Sequence, residues 1–100
     1  MRILIIGNLA GQLAAASIIA KQRGAAVRQV PDLDAALREL RSGQGADLLL
    51  ADINSNIPLI IENLAAERMV LPVIACGIGT EEQDAVDAIR AGAVEYLSLP

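Results

Sequence analysis

The chain has 100 residues, 54% of them apolar with a single aromatic, Tyr96, and a formal net charge of −4 without histidine. That length makes one domain with a modest core, which must be packed from Ile, Leu, Val and Ala. The acidic balance argues against a surface for nucleic acid or anionic membrane, which needs clustered Lys and Arg, and the lone Cys76 excludes an internal disulfide and fits a reducing compartment.

Ile3 to Ile6 is a continuous apolar run closed by Gly7, the mark of a strand buried on both faces of a parallel sheet. Residues 9–23 form an Ala-rich helical stretch, with Leu9, Leu13, Ala16 and Ala20 three or four apart and Gly24 as its C-terminal glycine. Arg2, the apolar run and Ala14-Ala15-Ala16 also resemble a secretory leader. Gly7, Asn8, Gly11 and Gln12 interrupt that run, and cleavage would remove the central strand. No stretch is long enough to span a bilayer, so a soluble cytoplasmic protein is expected.

Ala26 to Val30 reads as a short strand near an edge. Asp32 N-caps a helix whose inner face is Leu33, Ala36, Leu37 and Leu40, and Ser42-Gly43-Gln44-Gly45 ends it. Asp47 to Ala51 is a second buried strand, and Asp52-Ile53-Asn54-Ser55-Asn56 is turn chemistry. The spacing predicts a helix over Pro58 to Arg68 with Leu59, Ile60 or Ile61, and Leu64 inward. Val70 to Cys76 is a third buried strand and Gly77 to Thr80 a loop, with Thr80 and Gln83 as a capping box. A helix carrying Ala85, Val86, Ala88 and Ile89 ends at Ala91-Gly92, and Val94 to Leu99 is the last strand.

Five strands alternating with four helices predict right-handed βαβ units in a doubly wound parallel sheet. The class is α/β, flavodoxin-like, with strand order 2-1-3-4-5. Such a sheet should carry a fifth helix over its last strand. Residues 1–100 are therefore expected to be one domain at the front of a longer regulator. A face formed by Tyr96, Leu97 and Leu99 would otherwise stand uncovered and favour self-association.

In an open α/β sheet the functional crevice lies beyond the carboxyl ends of the central strands. Here those ends are Gly7-Asn8, Asp52, Gly77 and Leu99, and Asp52 is the one carboxylate among them. By itself Asp52 reads as the cap of an Asx turn. The order of elements, the strand Asp47-Leu48-Leu49-Leu50-Ala51-Asp52, Leu71-Pro72-Val73-Ile74 and the closing Gly92-Ala93-Val94-Glu95-Tyr96-Leu97-Ser98-Leu99-Pro100 together resemble a response-regulator receiver of two-component signalling over essentially the whole chain. The resemblance puts Asp52 at the phospho-acceptor position.

The rest of that family's site departs. Receivers end their first strand on an acidic pair that holds Mg²⁺, and here the place reads Gly7-Asn8. They carry Ser or Thr where this chain has Gly77, and Lys where it has Leu99. Tyr96, the aromatic that the family couples to the Ser or Thr, is kept. Mg²⁺ wants carboxylate oxygens in an octahedron, and aspartyl phosphorylation needs the cation's charge. Asp52 is thus expected to be vestigial, with Mg²⁺ binding weak or absent, no cofactor and no catalysis. The narrower resemblance of the Gly-Gln-Leu after the first strand and of Ser42-Gly43-Gln44-Gly45-Ala46-Asp47 is to sigma-54-dependent flagellar transcription activators. It implies attached ATPase and DNA-binding domains and regulation through a protein partner. The expected contact face, for homodimer or partner, is Val86, Ile89, Arg90, Tyr96 and Leu97.

Other readings stand beside this one. Phosphate acceptance at Asp52 with altered metal needs is one. A small nucleotide-binding α/β protein is another, on Gly7-x-x-x-Gly11, although the Gly-x-Gly-x-x-Gly spacing and a ribose-binding acid after Val30 are missing. Cys76 has no histidine to activate it as a nucleophile. Glu81, Glu82, Asp84 and Asp87 read as a solvated acidic face that favours the helix dipole, with partner docking as their second use.

Overall fold

The computed structural model describes residues 1–7, 17, 20–78 and 82–99. Five strands, β1 (Arg2–Ile6), β2 (Ala26–Val30), β3 (Leu48–Asp52), β4 (Val73–Ile78) and β5 (Glu95–Leu99), alternate with α1 (Leu33–Arg41), α2 (Ile57–Ala66) and α3 (Glu82–Ala91). Ser17 and residues 20–22 are helical as well, and the remainder of the helix expected over 9–23 lies outside the described residues. The five strands form one sheet in the order β2-β1-β3-β4-β5. Every neighbouring pair is parallel. The predicted order and fold class are borne out.

Alternation along the strands sorts the core into two layers. Leu4, Ile6, Leu49, Ala51, Val73 and Ala75 face one side, where they meet Ala36 and Leu37 of α1, Ile57, Ile60 and Leu64 of α2, and Ala88 of α3. Ile5 and Cys76 face the other side with Ile3, Val27 and Leu50 beside them. No polar or charged residue is fully buried among those described. The interior is therefore aliphatic packing, stabilised by removal of apolar area from water.

The helix ends follow local chemistry. Asp32 Oδ1 accepts from the Ala35 amide at 2.8 Å and caps α1. Asn56 Oδ1 accepts from the Leu59 amide at 3.1 Å and caps α2, with Pro58 in its first turn, where a missing N–H costs nothing. Gly24, at φ +90°, closes the first helical stretch. There Ala25 N–H donates to Ala20 O and Gly24 N–H to Lys21 O, both at 3.0 Å, which is the Schellman pattern.

Three details differ from expectation. Leu59 is 44% exposed, because the N-cap at Asn56 starts the helix one residue earlier and turns Ile57, Ile60 and Leu64 inward. Val70 is fully exposed and β4 begins only at Val73; Met69 and Leu71 pack against the core instead. β4 also runs on to Ile78, so Gly77 is a strand residue and not the start of a loop. The capping box at Thr80 lies outside the described residues.

Candidate functional site

The carboxyl ends of β1, β3 and β4 converge as the sheet order requires. Asp52 ends β3, half-buried, in register with Cys76 on β4. Its Oδ1 accepts from the Asn54 amide at 3.0 Å, and its carbonyl accepts from Ser55 N–H at 2.8 Å. Together these are an Asx turn closed by a backbone turn. Ile53 N–H donates to Cys76 O at 2.7 Å, so the turn is also tied to β4.

Gly7 is buried against this turn. Its N–H donates to Val30 O at 3.0 Å, and its carbonyl accepts from Gln29 Nε2 at 2.7 Å. Its φ is +113°, and a Cβ placed on it would lie 2.8 Å from Asp52 Cβ. In this conformation a side chain at position 7 would collide with the side chain of Asp52 itself. Gly77 is buried on β4 and contributes no side chain. Leu99 is the last residue of β5, paired with Ile78. Asn8 lies outside the described residues.

Cys76 is 1% exposed, and its Sγ–H lies 3.5 Å from the Ala51 carbonyl oxygen. Burial first, and then the charge of Asp52, push its thiol up to about 11. It stays protonated at neutral pH and is an inert core residue. Among the described residues no three of His, Cys, Asp and Glu converge to hold a metal ion. Among the described residues Asp52 has no second carboxylate grouped with it, so this part of the site lacks the set of oxygen ligands that Mg²⁺ wants.

The expected contact face divides. Val86, Ile89 and Arg90 line a shallow groove of about 480 Å³ on α3 with Glu82 and Ala85, and Ile89 is 47% exposed. Tyr96 packs against the main core below α3. Leu97 is 41% exposed and pairs with Cys76, on the opposite side of the sheet. Tyr96 and Leu97 therefore do not share a face, because adjacent strand residues point to opposite sides. Loss of solvent, then the charges of Asp84 and Cys76, raise the Tyr96 hydroxyl above its ordinary value.

A second hollow, of about 320 Å³, opens between the turn after β3 and α3. Ile53, Ser55, Asn56, Ile57 and Pro58 form one wall, and Asp84, Asp87 and Ala88 the other. The two acids are visible in the sequence as an acidic helix start. Their meeting with the 53–58 turn is a tertiary fact that spacing does not show.

No family profile matches the chain. It is 45% identical over all 100 of its residues to the transcriptional regulatory protein FlbD of Caulobacter vibrioides, and it spans 22% of that protein's length. Among solved structures, a response regulator receiver protein from Pseudoalteromonas atlantica superposes with a TM-score of 0.79 at 18% identity, over 100% of this chain and 85% of that one. FixJ-N gives 0.80 at 20% identity, over 99% and 81%. NtrX from Brucella abortus gives 0.81 at 23% identity, over 99% and 23%. Among the described residues no helix is long and apolar enough to cross a membrane. With the sheet order, the strand-end aspartate and a 45% identical relative in agreement, the chain belongs to the response-regulator receiver domains.

Proposed function

We propose that residues 1–100 are the non-catalytic signal-receiving domain of a cytoplasmic transcription regulator of the sigma-54-dependent flagellar kind, working through protein contacts without Mg²⁺-dependent phosphorylation of Asp52. The attached parts would be an ATPase and a DNA-binding domain, and the domain itself would leave nucleic acid alone. One observation carries the mechanism. Asp52 is engaged as a turn cap, and Gly7 beside it brings no carboxylate, its φ of +113° and its closeness to Asp52 Cβ both opposing a side chain there. Without carboxylates to hold a cation, charge on a transferring phosphoryl group has nothing to offset it, a loss of several kcal/mol for preorganised charges of this kind.

Val86, Ile89 and Arg90 on α3, with Tyr96 beneath them, are the surface this reading assigns to contacts, and Leu97, on the other side of the sheet, falls outside it. The test is incubation with acetyl phosphate, or with beryllofluoride, in the presence of Mg²⁺. Intact mass for the first, and fluorine resonances for the second, should show no adduct at Asp52. Stoichiometric modification overturns the mechanism and leaves an ordinary phospho-accepting receiver.

A further inference from the structure

The hollow between the 53–58 turn and α3 is not used by this reading. It is separate from the α3 groove around Val86 and Ile89, sharing no lining residue with it. Its apolar lining is Ile57 and Ala88, nearly buried at its base, with Ile53 and Pro58 reaching the surface. Asp84, Asp87 and Ala88 sit at i, i+3 and i+4, so both carboxylates stand on the one helix face that borders it. Asn56 and Ser55 add polar atoms at the rim.

An apolar floor beneath an acidic wall suits an amphipathic cation, one with a hydrocarbon stem and a charged tip. Lysine and arginine side chains have that form. A bare divalent ion suits it poorly, because such ions want six or more oxygens and not an aliphatic floor. A volume of about 320 Å³ is at the low end for ligand pockets, enough for one long side chain and too small for a helix. The chain's net charge of −4 supports attraction of a basic partner at longer range.

We propose that this groove seats a basic side chain of a partner protein, its alkyl stem on Ile53 and Pro58 and its charged head against Asp84 and Asp87. Asp87 Oδ1 already accepts from Gln83 Nε2 at 2.8 Å. A carboxylate has about four lone-pair sites, so existing bonds at either acid leave room for further donors. The charge of Asp84 is also felt by Tyr96. A cation in the groove is therefore sensed at β5, which links this site to the contact face without sharing residues with it.

Tyr96 is the one aromatic in the chain, so its fluorescence reports the site without interference. The probe is a capped pentapeptide, acetyl-Ala-Leu-Arg-Leu-Ala-amide, titrated against the folded chain, with its Glu-for-Arg counterpart as control. The expected result is a saturable change in Tyr96 emission with the Arg peptide alone, at a Kd of about 1 mM as befits a single anchored side chain. Asp84→Asn with Asp87→Asn should weaken it at least tenfold, while Asp34→Asn on α1 leaves it unchanged. Asp87→Asn alone, at an exposed position, should still weaken it several-fold with the circular dichroism spectrum intact. No saturable change, or an equal response to the Glu peptide, overturns the proposal. Saturation by MgCl₂ instead makes the groove a metal site, and self-association of the chain that Asp84→Asn with Asp87→Asn abolishes makes its occupant a second copy; either result overturns it too. The acetyl phosphate experiment is independent of all these outcomes.

Discussion

At the scale of the residue, Gly7 is tightly specified by geometry. Two separate demands meet there. Its φ of +113° is a conformation that side chains rarely adopt, and the space a Cβ would need is taken by Asp52 Cβ at 2.8 Å. Gly24 isolates the first demand, since its φ is +90° and nothing lies within 4 Å of its virtual Cβ. Gly24→Ala should cost about 1 kcal/mol, the strain of a non-glycine residue at positive φ. Gly7→Ala should cost about 3 kcal/mol, because overpacking adds to that strain. Urea midpoints for the two variants measure the difference, and equal losses would mean that the Gly7–Asp52 approach is relaxed in solution. The same geometry bears on the site: an acidic residue at position 7 needs its own backbone or Asp52 to shift first.

At the scale of the element, the chain announces its strands and helices by means that are local. Aliphatic runs ended by glycine or aspartate mark β1 and β3, and an Asp32 cap followed by apolar residues at helical spacing marks α1. Asp32→Ala should therefore destabilise the domain by about 1 kcal/mol, read as a shift in the urea midpoint with unchanged slope. Where spacing misled, the position of a cap and of a turn decided. Leu59 and Val70 are apolar and sit in runs that look inward, yet the Asn56 cap sets the phase of α2, and the chain turns through Arg68 at φ 55° before β4. The candidate site divides in the same way. Asp52 and its turn are legible because an Asx turn is local. The closeness of Gly7, the thiol of Cys76 in register beside it, and the hollow under Asp84 and Asp87 arise from strands and helices 24 to 45 positions apart, which no local pattern encodes.

At the scale of the whole molecule, the sheet order fixes which surfaces are free to meet a partner. β5 lies at one edge and α3 packs beside it, so Ala85, Val86 and Ile89 form an apolar stripe with Glu82 at one end and Arg90 at the other. An arrangement with opposite charges at its two ends is self-complementary when two copies meet antiparallel, as two-fold symmetry requires. In the homodimer expected from the sequence, Arg90 of one copy would then approach Glu82 of its partner across the Val86–Ile89 stripe. Tyr96 is a poor position at which to test this, because it packs against the main core and its loss would disturb the fold. Ile89, 47% exposed, is the informative one. Arg90→Glu with Ile89→Ala should raise the dissociation constant at least tenfold, about 1.4 kcal/mol, in sedimentation velocity. Adding Glu82→Arg should recover part of that loss by restoring opposite charges across the axis, whereas a purely structural effect of the first two changes would not be rescued. Association that ignores all three substitutions would place the dimer contact elsewhere on the molecule.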